Sequence, residues 1–196
     1  MRGNNMAIQA KDDKLYTYGD YIGWSEDERW ELIDGVAYMM AAPNTKHQRL
    51  IREMSVQIYA FLSGADHNDN CEMFFAPFDV RLPDADEDDR DVKSTVQPDI
   101  VIICDPGKLD EKGCRGTPDF VIEILSPSTA SKDSITKMEL YERHGVKEYW
   151  IVDPMNDLVF VRVIGKDARY GSTKTFKTED VIEATVLPGL AVKLTG

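Results

Sequence analysis

Two acidic residues set in apolar strands are the clearest chemistry in this sequence. QPDIVIICD (97–105) puts Asp99 at the head of one apolar run, and DFVIEILSPST (119–129) puts Glu123 inside the next. Carboxylates on neighbouring strands are held at a set separation. A hard divalent cation such as Mg²⁺, which takes oxygen ligands in near-octahedral geometry, can be shared between them. That arrangement suits metal-dependent hydrolysis of a phosphodiester. Glu123 is flanked by apolar residues on both sides, and an ionised Glu is seldom buried without a partner. Either a cation is that partner, or the strand is half exposed and Glu123 faces water.

Lys137 follows Asp133 by four residues, so the two share a face if SKDSITKMELYERHG is helical. One reading is an exposed ion pair worth ~0.3–0.5 kcal/mol. The other has the short SPST connection fold the helix against the strand of Glu123 and turn Lys137 toward a phosphate. There it could orient a water or stabilise charge developing on the phosphate oxygens. His47, at the start of another helix, can cap, pack or face a cleft. Tyr141, one turn after Lys137, can pack in the core or line the same cleft. Ser126, Pro127 and Ser128 read as turn and cap, since no suitably spaced His and acid would make a serine nucleophilic.

The elements that must position these residues are legible as periodicities. WELIDGVAYMMAAP (30–43) alternates about Asp34-Gly35, a dipeptide suited to a type I′ hairpin turn. Leu50, Ile51, Met54, Ile58, Phe61 and Leu62 recur at helical spacing, with Asn44 or Thr45 as cap and Gly64 as terminator. EMFFAPFDVRLP (72–83) reads as one strand with Pro77 at a bulge or edge. In the later helix, Ile135, Met138 and Tyr141 form the expected apolar stripe, and Gly145 stands at its C-terminal end. EYWIVDP (148–154) and LVFVRVIG (158–165) read as strands joined by a hairpin turn. The order βαβββαββ predicts an α/β or α+β fold of sheet and helices.

At 196 residues the chain suits one well-buried domain, expected over 15–196, with 1–14 as a flexible lead-in lacking the apolar core of a signal peptide. No apolar run approaches the ~20 residues that span a bilayer, so no membrane role and a cytoplasmic location are expected. Cys71, Cys104 and Cys114 are odd in number and lack C-x-x-C spacing, which suggests neither a disulfide framework nor a zinc site, and Cys104 reads as core. The net charge of −12 argues against generic nucleic-acid binding. Much of the excess lies in DADEDDRD (84–91), which reads as a solvated loop, so a local basic surface can coexist with an acidic whole.

ELIDG (31–35), PNTKH (43–47), QPDIVI (97–102), PDFVIEILSPST (118–129), D-x-x-x-K (133–137) and YERHGVKEYWIVDP (141–154) follow one another in that order. The series resembles the Uma2-like proteins, a bacterial group of the PD-(D/E)XK restriction endonuclease-like superfamily. The resemblance implies a core of mixed β-sheet flanked by helices, with additional β-hairpins. It implies Asp99 and Glu123 as ligands of Mg²⁺ or Mn²⁺, and Glu31 as a further acidic residue of the site. The superfamily's E-x-K becomes Glu123-Ile124-Leu125 here, and the catalytic lysine is then Lys137 on the helix. The implied activity is endonucleolytic hydrolysis of DNA, with a homodimer as the candidate assembly. The competing expectation is a catalytically silent nuclease-fold module that acts through a partner protein. DNA binding is expected to be weak and salt-sensitive, and to need Lys132, Lys137, Arg143 and Lys147 as a basic rim around the cleft.

Overall fold

In the computed structural model, which describes residues 12–25, 27–64, 70–126 and 135–194, the first element is a single helical turn absent from the sequence expectations. This is α1 (Tyr18–Tyr21), closed at its start by Thr17 and Asp20. The lead-in expected over 1–14 falls almost wholly outside the described residues. Next come β1 (Trp30–Ile33) and β2 (Val36–Met39). Asp34 and Gly35 between them both take positive φ, 51° and 81°, as a type I′ turn requires. Helix α2 (Thr45–Leu62) follows, with the Asn44 side chain accepting from the His47 N–H as its cap. It ends through Ser63 in a right-handed conformation, so Gly64 supplies no left-handed cap.

The segment 72–83 is two strands rather than one. β3 (Glu72–Phe75) and β4 (Val80–Arg81) lie in different sheets, and the chain leaves the first before Pro77, which has no N–H to give a ladder. β5 (Thr95–Val96) and β6 (Ile100–Ile103) are likewise divided between the sheets, with Gln97-Pro98-Asp99 crossing from one to the other. The short β7 (Leu109–Asp110) and β8 (Gly113–Arg115) lead to β9 (Phe120–Ile124), then α3 (Lys137–His144). Gly145, at φ 81°, ends α3 in the left-handed conformation expected of it. β10 (Glu148–Asp153) and β11 (Leu158–Val163) form the expected hairpin, followed by β12 (Lys174–Lys177) and the pair β13 (Val181–Glu183) and β14 (Ala191–Lys193).

The main sheet has the order β12-β11-β10-β9-β6-β3 and is mixed, because β9 and β10 run parallel and the other neighbours antiparallel. β6 and β9 are buried along their whole length, which explains why both read as continuous apolar runs. One face of the sheet, carrying Ile100, Ile102 and Ile122, packs on Leu50, Met54 and Ile58 of α2 and on Ile182 and Val192 of the β13–β14 pair. The other face, carrying Val101, Ile103 and Val121, packs on Leu140 and Tyr141 of α3 and on Ile33, Val80 and Val96 of the second sheet. Each fully buried Ile or Val contributes roughly 1.5–3 kcal/mol of hydrophobic stabilisation. The second sheet, β2-β1-β5-β4-β8-β7, thus lies against the α3 side of the first.

Two sequence expectations are corrected here. Cys71 and Cys104 are joined by a disulfide, because the β3–β6 register pairs Glu72 with Ile103 and the next positions outward are these two cysteines. Cys114 is the free thiol, and burial pushes it up to about 12. In α3 the inner stripe is Lys137, Leu140 and Tyr141, while Ile135 is exposed. The acidic run at 84–91 is largely exposed, as expected, and its carboxylates also tie down neighbouring cations. Asp89 pairs at 2.6 Å with the fully buried Arg81 and also with Lys112 and Arg115, and Glu87 pairs with Lys93. A buried guanidinium needs such carboxylates to offset its desolvation.

Candidate functional site

The β6–β9 register pairs Ile100 with Ile122, and one residue further along it sets Asp99 opposite Glu123. Residues opposed across an antiparallel pair point to the same face. Both side chains therefore emerge together where the Gln97-Pro98-Asp99 crossing brings the two sheets to a corner. Glu31 arrives from β1 of the second sheet, and the backbone N–H of Gln97 donates to its Oε1 at 2.9 Å. Glu31 is wholly buried and Glu123 is 3% exposed. A Glu beside a hairpin turn usually meets solvent; this one is covered because β1 sits inside the second sheet, between β2 and β5.

Lys137 opens α3 and is 1% exposed. Its Nζ donates to Glu123 Oε1 at 2.7 Å and pairs with Glu31 Oε1 at 2.7 Å. The half of the sequence reading that turned Lys137 inward matches this geometry. Asp133, its alternative partner, lies outside the described residues. The Tyr141 hydroxyl, one turn on, donates to the same Glu123 Oε1 at 2.8 Å, so Tyr141 is at once a core residue and a neighbour of the site. Asp99 Oδ2 accepts from the Ile124 N–H at 2.8 Å and lies 3.1 Å from His47 Nε2. His47 Nδ1 is buried with no hydrogen-bond partner among the described residues.

A single cleft is lined by Arg29, Glu31, His47, Asp99, Glu123 and Lys137, together with residues of the β2–α2 connection. It gathers the acids and the lysine singled out from sequence, and His47 with them. Arg143 and Lys147 of the expected basic rim do not line it. Arg143 pairs with Asp34 at 2.5 Å and with Asp84, Lys147 pairs with Asp119 at 2.6 Å, and Lys132 lies outside the described residues. Sequence reasoning missed Arg29 and Gln97. Arg29 stands two residues before Glu31, the spacing that puts alternate strand residues on one side, and Gln97 opens the QPD segment; both signals were present.

Gln97 is the hub of a part-buried polar chain. Its Oε1 accepts from Arg29 Nη2 at 2.7 Å and Nε at 3.1 Å, and its Nε2 donates to Asp79 Oδ1 at 2.9 Å and to the Tyr21 hydroxyl at 3.0 Å. Tyr21 in turn donates to Asp79 Oδ1 at 3.0 Å. Burial raises the Asp79 carboxyl above its ordinary range, although the bonds from Gln97 and Tyr21 favour its charged form. Burial and then the Asp79 charge raise the Tyr21 hydroxyl as well, so it stays a donor.

The donor chemistry fits a hard divalent cation. Three carboxylates share the cleft with one ammonium that contacts two of them, leaving negative charge in excess among these four residues. Their oxygens are the ligand type that Mg²⁺ and Mn²⁺ take. As they stand, no three His, Cys, Asp or Glu side chains among the described residues form a ready cage, since Lys137 lies within hydrogen-bonding distance of both Glu31 and Glu123.

Comparisons with known proteins agree on the fold. The family model Uma2, described as "Putative restriction endonuclease", matches residues 18–195. A crystal structure from Anabaena variabilis ATCC 29413, described as "a putative nuclease belonging to DUF820", superposes with a TM-score of 0.68 at 18% identity, over 88% of this chain and 90% of that one. Among curated proteins, the "Uncharacterized protein slr1290" of Synechocystis sp. is 24% identical over 135 residues, which is 68% of this chain. The match spans 65% of that relative's length.

Proposed function

The chain belongs to the Uma2 family, and on that premise we propose that it is a Mg²⁺- or Mn²⁺-dependent nuclease that hydrolyses DNA phosphodiester bonds. The observation that carries this reading is the meeting of Glu31 from β1, Glu123 from β9 and Asp99 from the crossing that enters β6, with Lys137 bridging two of them at 2.7 Å. Burying that much negative charge in one corner is electrostatically costly. It is what a site for a hard cation requires, and a stable core has no need of it. We assign the folded unit to residues 15–196 as one domain.

In this reading Asp99 and Glu123 hold the ion and Glu31 assists. When bound, the ion supplies Lewis-acid polarisation of a phosphoryl oxygen and a more acidic water. The chain's own residues do the rest. Ile124 N–H and His47 fix the Asp99 carboxylate, and Tyr141 and Lys137 fix that of Glu123, so both are oriented before substrate arrives. Lys137, whose ammonium bridges Glu31 and Glu123, orients the attacking water, and as that water's oxygen bonds to phosphorus the P–O bond to the leaving oxygen breaks. Hydrolysis adds water across that bond, with one product end taking OH and the other the proton.

The test is Mn²⁺- and Mg²⁺-titrated cleavage of duplex, nicked, branched and single-stranded DNA by the wild type and by Asp99→Ala. The expected result is metal-dependent nicking that Asp99→Ala abolishes. Cleavage that persists in Asp99→Ala would remove Asp99 from the reacting site, and no cleavage on any substrate would return the chain to the reading of a silent interaction module.

A further inference from the structure

An acidic cleft that acts on a polyanion needs a cation to receive the phosphate. Lys137 is 1% exposed and committed to two carboxylates. Lys46, next to the cleft on α2, donates to the Pro154 carbonyl and pairs with Asp157. Arg143 and Lys147 are engaged by acids elsewhere. Arg29 is different. It is half-buried, it lines the cleft, and among the described residues no carboxylate lies within ion-pairing distance of its guanidinium.

We propose that Arg29 is a phosphate-binding residue of the cleft, held toward a DNA backbone phosphate by Gln97, whose amide is in turn oriented by Asp79 and Tyr21. The assignment rests on the nuclease reading for its substrate class. Arg29 immediately precedes β1 and Glu31 lies within it, so strand alternation places both on one side of the chain. Arg29 Nε and Nη2 share a single acceptor, Gln97 Oε1. Its Nη1 makes no hydrogen bond to any described residue and is left for a ligand oxygen.

The anchor is neutral, and that matters electrostatically. A carboxylate at position 97 would pair directly with the guanidinium and cancel much of its field toward the cleft, whereas an amide oxygen positions it without a direct ion pair. The amide cannot be turned end for end without setting Oε1 against the Asp79 carboxylate. Asp79 therefore fixes the acceptor toward Arg29 while its own charge stays one residue removed. The backbone N–H of the same Gln97 holds Glu31, so one residue sets the spacing between the phosphate-binding cation and an acid of the cleft.

The experiment is fluorescence anisotropy of labelled duplex DNA with the full chain in EDTA, where cleavage is silent, across a range of salt. Arg29→Gln is expected to bind about tenfold or more weakly, as loss of a charged hydrogen-bonding partner implies. The slope of log K against log salt should become shallower by about one. Arg29→Lys should restore the slope but only part of the affinity, because an ammonium lacks the planar fork. Arg143→Gln is the control and should bind as wild type. Melting temperatures identify any variant that has lost its fold, and Arg29→Lys keeps the question decidable if Arg29→Gln does not fold. Wild-type affinity and slope in Arg29→Gln would overturn the assignment and leave the nuclease reading intact. Weakened binding in Arg29→Gln alongside a wild type that never cleaves would uphold the assignment and remove the nuclease. Absence of DNA binding by the wild type at low salt would overturn both.

Discussion

Lys137 Nζ lies 2.7 Å from Glu123 Oε1 and reaches it from helix α3, not from the strand that carries Glu123. The strand position with the same facing, two residues after Glu123, is Leu125, which is 9% exposed and belongs to the same buried cluster as Val121 and Leu140. Moving the cation to a helix has a geometric consequence. From α3 the ammonium also meets Glu31 Oε1 at 2.7 Å, so one side chain ties a strand of the second sheet to a strand of the first.

Removing that ammonium should therefore do more than stop chemistry. Lys137→Met leaves Glu31 and Glu123 buried without their shared partner, and breaking a buried pair typically costs about 3–5 kcal/mol. Urea denaturation should show a loss of that order, together with lost cleavage. Adding Glu31→Gln to Lys137→Met should recover part of the stability and none of the activity. Unchanged stability in Lys137→Met would mean that the carboxylates are not held charged by it.

Divalent cation should stabilise the folded chain, because an ion bound only by the native state raises stability by mass action, about 2.7 kcal/mol at a hundredfold excess over Kd. The rise in melting temperature with Mn²⁺ should vanish in the Asp99→Asn, Glu123→Gln double variant. Asp89 and Glu87 of the acidic segment already bond Arg81, Lys112, Arg115 and Lys93. An undiminished shift in the double variant would place ion binding on the remaining exposed acids of 84–91.

How much of this was readable in advance depended on whether a signal was local. The Asp34-Gly35 turn, the α2 stripe of Leu50, Met54 and Ile58, and the buried runs of β6 and β9 are short-range patterns, and each appears where the sequence put it. The disulfide was not readable, because pairing Cys71 with Cys104 requires the register of two strands far apart in sequence. The buried stripe of α3 was misread because its first member is a lysine, which no hydrophobic pattern selects; it is inside only because two acids from other strands are there to meet it. The basic rim shows the same limit. A count of Arg143 and Lys147 as free cations overlooks the acids that folding brings to them.

Lys147 is expected to matter for stability at neutral pH, a contribution lost in acid, and not for DNA. Burial alone would raise the Asp119 carboxyl, but the Lys147 ammonium at 2.6 Å and the Cys104 N–H at 2.8 Å hold it below its ordinary value. A carboxyl with a depressed folded pKa contributes stability that is fully present above its unfolded value, near pH 4, and is lost as pH falls through the folded one. Asp119→Asn should accordingly be less stable than wild type at neutral pH, and the difference should shrink below about pH 4. Lys147→Gln should cleave DNA as wild type does. Reduced DNA affinity in Lys147→Gln would restore that residue to the nucleic-acid surface.

Tyr141→Phe separates holding a ligand from performing chemistry. The hydroxyl donates to Glu123 Oε1 at 2.8 Å from a fully buried position, and the change removes one oxygen without altering the ring that packs at 5.0 Å on Tyr149. Loss of one buried hydrogen bond should cost about 1 kcal/mol in urea denaturation. Because groups that orient a metal's carboxylate ligand commonly change affinity by about 10–100-fold, the Mn²⁺ concentration for half-maximal cleavage should rise within that range. At saturating Mn²⁺ the rate should return close to wild type, since Lys137 still holds the same oxygen. A rate that stays depressed at every Mn²⁺ concentration would assign Tyr141 to the reacting phosphate itself.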